Sequence, residues 1–205
     1  IAPSPSDDPS DIIATFPVEF EANSVNVAIA TGIVGDPDTP FDLILKTDAR
    51  TEAMSNDVEF FAYHGATDAP AVDVLARDVA TLVDDASYGD YTSYIQVAPD
   101  QYTLDVTPAN DNDNIVASFE ADLSGLGGGS AVVFASGFLN PPSQGHPAFG
   151  LFAALADGTV VEFQKVENTA RLQIIHNSPS PTVDIWVNDE PFLTDFAYRT
   201  ATSYV

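Results

Sequence analysis

The chain repeats itself, and that limits its folds more than any other feature. Phe61-Ala62-Tyr63-His64-Gly65-Ala66-Thr67-Asp68-Ala69-Pro70-Ala71-Val72-Asp73-Val74 returns, one residue shorter, as Gln173-Ile174-Ile175-His176-Asn177-Ser178-Pro179-Ser180-Pro181-Thr182-Val183-Asp184-Ile185. Tyr88-Gly89-Asp90-Tyr91-Thr92-Ser93-Tyr94-Ile95 returns as Tyr198-Arg199-Thr200-Ala201-Thr202-Ser203-Tyr204-Val205. Self-similarity at a fixed spacing means that each copy is one folding unit with its own faces to bury.

The opening of the chain matches the middle of that unit. Ile12-Ile13-Ala14-Thr15-Phe16 aligns with Ile115-Val116-Ala117-Ser118-Phe119, and Val27-Ala28-Ile29-Ala30-Thr31-Gly32-Ile33 with Val132-Val133-Phe134-Ala135-Ser136-Gly137-Phe138. Phe41-Asp42-Leu43 aligns with Phe149-Gly150-Leu151, and Ile1 falls opposite Leu104. The unit is on the order of 105–110 residues, the size of one β-sandwich domain. The predicted organisation is the back half of a copy at 1–56, a complete copy at 57–166 and the front half of another at 167–205. Only the counterpart of residues 96–103 is missing from a second full copy.

Strand signals fill the complete copy. Residues 58–64 are apolar and aromatic, and 72–74 and 92–97 alternate. Tyr102, Leu104 and Val106 share one face of a period-2 segment, as do Ile115, Ala117, Phe119 and Ala121. The unbroken apolar run 131–138 reads as a central strand buried on both faces. Ala98-Pro99-Asp100 and the loop from Pro108 to Asp113 carry turn chemistry. No segment holds a helical period. Apolar residues make up 45% of the chain, enough to fill cores. The expected fold is all-β: tandem Greek-key, Ig-like sandwiches of about seven to nine strands per unit.

Charge and cysteine narrow the function classes. Asp plus Glu total 31 against 6 Lys plus Arg, a formal net charge of −25. Such a surface repels nucleic acid and anionic membrane, which need basic patches. It suits high salt, or the collection of divalent cations. The absence of Cys excludes disulfides, zinc–thiolate sites and thiol nucleophiles. No apolar run approaches the ~20 residues that span a bilayer as a helix. Ile1-Ala2-Pro3-Ser4-Pro5 lacks the charged start and apolar stretch of a signal peptide. An exported chain has then shed one, or this is a window of something longer.

The pair His64…Ala69-Pro70-Ala71-Val72-Asp73-Val74 and His176…Ser180-Pro181-Thr182-Val183-Asp184-Ile185 resembles the opening signature of domain-of-unknown-function family 4397, found in bacteria and archaea. Its units resemble H-A-S-P-D-A-P-x-V-D-V, then a small hairpin, an F/Y-G-x-x-S/T-x-Y segment and a P-A-G-x-Y-x-x-x-V strand. Here the last two are Tyr88 to Tyr94, and Ala98-Pro99-Asp100-Gln101-Tyr102 running on to Val106. The family's later Y-T-V-V-A-x-G strand is matched by Ala131-Val132-Val133-Phe134-Ala135-Ser136-Gly137. The resemblance implies secreted, often tandem, Ig-like domains on cell surfaces, with no established activity. Asp100 stands where the family has the turn Gly.

Candidate chemistry is sparse. His64 and His176 recur, as metal ligands or bases, or as rings bonded to backbone of the adjacent loop; no second His or Cys repeats beside them, which favours the backbone role. His146 has no partner in the repeat. Asp73 and Asp184 recur within strands, where an Asp beside a turn accepts N–H bonds from that turn. Calcium needs several converging oxygens, and the candidates are Asp68 with Asp73 and the Asp111/Asp113 loop; neither has EF-hand or nonapeptide spacing. No other cofactor is called for. There is no G-x-S-x-G elbow, and Gly127-Gly128-Gly129 lacks a phosphate-loop Lys. Trp186 occupies the strand position of Leu75 or Val74 in the other copy, which points to core packing more than to sugar stacking.

These features predict a non-catalytic structural protein outside the cell or on its surface, part of a filament, stalk or array. Either the chain is a window of a long array, or the half at 167–205 is completed by the 1–56 half of the next molecule, giving a polymer. The second is preferred, because Thr200, Ala201, Thr202, Ser203, Tyr204 and Val205 would otherwise be a bare edge. Ile1, Ile12 and Ile13 mark the opposite edge. The competing class is a surface module that binds carbohydrate or protein, with or without calcium.

Overall fold

The computed structural model describes residues 1–166, 172–187 and 189–203, and the chain divides into two compact units, Ile1–Val166 and Glu167–Val205. Apart from a 3-10 turn at Pro9–Asp11, the regular structure is β.

Unit one opens with a hairpin of β1 (Val27–Thr31) and β2 (Asp42–Lys46). Ten strands follow: β3 (Val58–His64), β4 (Val72–Ala76), β5 (Ala80–Ala86), β6 (Ile95–Val97), β7 (Gln101–Pro108), β8 (Ala117–Asp122), β9 (Ser130–Ser136), β10 (Gly150–Leu155), β11 (Val160–Glu162) and β12 (Gln164–Lys165). They form two five-stranded sheets, ordered β11-β10-β9-β3-β6 and β12-β8-β7-β4-β5. All ladders are antiparallel except β3 against β9. The chain crosses between the sheets repeatedly, so the sandwich has more strands than the turn spacing suggests; β11 and β12 add a short strand to one edge of each sheet.

The sheets face one another across an apolar core. Val58, Ala135, Leu151 and Ala153 come from the first, and Val72, Ala76, Leu104, Val106, Ala117, Phe119 and Ala121 from the second. The alternation of β7 and β8 therefore points as the pattern requires. The run 131–138 is central in its sheet, but its two faces differ. Ala135 is buried in the core, whereas Val132 and Phe134 are half-buried on the outer side, where Phe134 stacks on Phe152 at 5.5 Å. An all-apolar strand there reflects partial cover from outside the sandwich.

Unit two contains β13 (Ile175–His176) paired with β16 (Thr200–Ala201), and a hairpin of β14 (Val183–Val187) and β15 (Glu190–Phe196).

Candidate functional site

The hairpin β1–β2 is the feature that the rest of unit one does not explain. Its register matches β9–β10. Thr31 faces Asp42 and Ala30 faces Leu43; at the aligned positions, Ser136 faces Gly150 and Ala135 faces Leu151. Both hairpins turn through the same glycine elbow. Gly32 has φ +76° and Gly137 φ +83°, and a Cβ on either would fall 2.1 Å from the Pro40 carbonyl oxygen or 2.2 Å from that of Ala148. The aromatic pair behind each hairpin also recurs: Phe16–Phe41 at 6.2 Å and Phe119–Phe149 at 6.0 Å, with interplanar angles of 59° and 60°.

What differs is which face is covered. In the complete sandwich, the side carrying Val133, Ala135, Leu151 and Ala153 lines the core. In β1–β2 the counterparts Ala28 and Ala30 are exposed, and Leu43 and Leu45 are only partly covered. The opposite side is turned onto the outer face of β3. The Tyr63 hydroxyl donates to Thr31 Oγ1 at 2.7 Å, and the Tyr88 hydroxyl lies 3.1 Å from the same atom. Burial pushes the Tyr63 hydroxyl pKa up, despite the Thr31 bond. Lys46 sits among Phe61, Tyr91 and Tyr94. The side of β1–β2 that a sandwich would bury is thus the side facing water.

Upstream, residues 12–26 form no strand, although 12–16 carry the pattern that leads into β8. In the complete copy β8 lies against β7; residues 1–26 have no such neighbouring strand. Ile1 does lie beside Ile13: its ammonium donates to the Ala14 carbonyl at 2.8 Å, and the Ile13 N–H to the Ile1 carbonyl at 3.0 Å. Ile12 and Ile13 are half-exposed, as are Ile115 and Val116.

Unit two repeats two loop-holding bonds of the β3 to β5 region. The His64 ring Nε2 lies 3.2 Å from the Pro70 carbonyl, and His176 Nε2 lies 2.9 Å from that of Pro181. The Asp85 N–H donates to Asp73 Oδ1 at 2.6 Å, and that of Asp195 to Asp184 Oδ1 at 2.8 Å. Both donors are left-handed, at φ 52° and 53°. The histidines and strand aspartates thus hold loops. Thr200 and Ala201 pair inward with β13, and the Thr202 N–H donates to Ile174. Ser203 lies beyond that pairing, and Tyr204 and Val205 lie outside the described residues. In the sandwich β4 lies between β5 and β7, whereas β14 has β15 on one side and no strand on the other among the described residues. Ile175 is 64% exposed, against 4% for its counterpart Tyr63.

Of the calcium candidates, Asp73 lies in a set of converging carboxylates. Asp68 accepts the N–H groups of Leu139 and Asn140 at 2.8 and 2.7 Å. Asp111 and Asp113 are exposed in their loop. Among the described residues the converging carboxylates are Asp73, Asp84 and Asp85, a set the spacing argument missed because a bulged hairpin brings it together. Asp73 already takes N–H groups from Asp85 and Asn110, and Asp85 takes the Asn110 amide.

Comparison with known families now has a fold to attach to. Residues 58–143 match a family described as Domain of unknown function (DUF4397). This stretch belongs to that family. No curated protein and no solved structure matches the chain. The matched stretch of the DUF4397 domain runs from β3 to just beyond β9; β10 to β12 complete its sheets. No helix among the described residues is long and apolar enough to cross a membrane.

Proposed function

We propose that this chain is a non-catalytic structural protein of an extracellular filament, stalk or cell-surface array, its protomers joined head to tail by completing one another's sandwiches. The observation that carries the reading is the exposed inward side of β1–β2, with Ala28 and Ala30 bare. A two-stranded hairpin is marginal in water and seeks a second layer. Unit two carries counterparts of β3, β4 and β5; residues 1–56 carry counterparts of β8, β9 and β10. Each set supplies strands that the other lacks, and neither carries the counterpart of residues 96–103. Joining them across two molecules is a heterologous contact that does not close, and so grows a fibre. The recurring histidines and aspartates support the non-catalytic part, since each has a ring nitrogen or carboxylate oxygen bonded to the backbone of an adjacent loop.

Sedimentation velocity and negative-stain microscopy of the purified chain test this. The wild type is expected to form extended oligomers. Ala30→Asp, a charge placed on the exposed inward side, is expected to leave a folded monomer. Wild-type protein that stays monomeric and fully folded at every concentration would sink the proposal.

A further inference from the structure

Lys46 is the one buried cation among the described residues, 5% exposed in a chain with only 6 Lys plus Arg. Withdrawing an ammonium from water is costly unless other groups replace the water. Here three rings do so. Its Nζ lies 5.3 Å from the centroids of Phe61 and Tyr91 and 5.5 Å from that of Tyr94. Asp48 pairs with it from the solvent side, and the bond from Lys46 holds its carboxyl below the usual carboxylate range. Arg50 braces the rim. Its guanidinium packs on the Tyr94 ring at 4.3 Å and pairs with buried Glu59, and the Arg50 backbone N–H donates to the Tyr94 hydroxyl at 2.7 Å. The rings belong to the DUF4397 domain; both cations belong to the segment before it.

This cage is not a requirement of the fold. The loop-holding bonds recur in unit two, yet Gln173 and Ala201 stand where Phe61 and Tyr91 stand. In the complete copy's own hairpin, Ala154 stands where Lys46 stands. The lysine and the rings are therefore a matched pair laid over a common scaffold. We propose that Phe61, Tyr91 and Tyr94 form a lysine-reading docking site, by which a DUF4397 domain selects the hairpin that seats on its outer face. The occupant is the hairpin of this chain that carries Lys46. The inference rests on the alignment of copies used above, and not on polymerisation.

Hydrogen exchange on the full chain reads it directly, with sedimentation run in parallel so that a failure to polymerise is seen separately. Lys46→Met keeps the apolar stem and removes the charge. It is expected to lower protection of the β1–β2 amides by about tenfold, while β4, β7 and β8 keep theirs. Phe61→Gln with Tyr91→Ala, the residues of unit two, is expected to do the same, and adding Lys46→Met to that pair to do no more. Unchanged hairpin protection in Lys46→Met overturns the inference. So does an equal loss in every strand, which would make Lys46 an ordinary core residue.

Discussion

At the scale of single residues, the acidic excess is managed by giving buried carboxylates specific partners. Asp105, 5% exposed on β7, accepts two bonds from Arg77, at 2.8 and 2.6 Å, and one from the Ser118 hydroxyl at 2.6 Å. The Arg77 bonds, then Ser118, hold its carboxyl below the usual carboxylate range against the opposing effect of burial. A folded-state pKa below the unfolded one stabilises the protein above the unfolded value, about 3.9 for Asp, and that contribution is lost as pH falls through the folded value. Asp105→Asn is therefore expected to cost about 1–2 kcal/mol at neutral pH, the figure being held down by the half-exposed Arg77. It should also flatten the loss of stability below about pH 4. Urea melts of both proteins between about pH 3 and 7 check both statements. Lys46 is the converse case: a lone lysine in a strand reads as solvated, and only the folded chain places rings around it.

At the scale of elements, the glycine elbows carry the hairpins. Gly137 is left-handed, and a Cβ there would meet the Ala148 carbonyl oxygen at 2.2 Å. Gly137→Ala is expected to destabilise the protein by roughly 2–3 kcal/mol, measured by denaturant midpoint. The strands of the complete copy were legible because one face of each is apolar: β3 runs over the residues its composition marks, and β7 and β8 over theirs within a residue or two. The β1–β2 hairpin was legible as a hairpin, and its facing was not. Val27, Ala28, Ile29 and Ala30 are all apolar, so period 2 carries no information about which side is covered. Residues 12–16 show the same limit. They have a strand's sequence but adopt no strand, because pairing depends on a neighbour rather than on propensity.

At the scale of the whole molecule, a net charge of −25 makes like protomers repel. If they join through apolar sandwich faces, salt screens the repulsion and leaves the attraction. Oligomers in sedimentation are then expected to lengthen as sodium chloride rises from low ionic strength past about 0.1 M, where screening acts over roughly 10 Å. Assembly dominated by salt bridges would weaken instead. Unit two sharpens the argument, since the positions that reproduce the loop bonds of the DUF4397 domain also leave Ile175 and Trp186 exposed, at 64% and 62%.

The sequence by itself determined the class of fold, the family resemblance of residues 58–143 and the residues that hold the loops. Each of these is written in local periodicity or in motifs that bond to residues nearby. Only the tertiary structure decided that β1–β2 turns its outward side onto β3, that Lys46 enters an aromatic cage and that Asp84 and Asp85 come to Asp73. Those outcomes depend on side chains meeting across long stretches of chain, and spacing along the sequence does not encode which of two apolar faces reaches its partner.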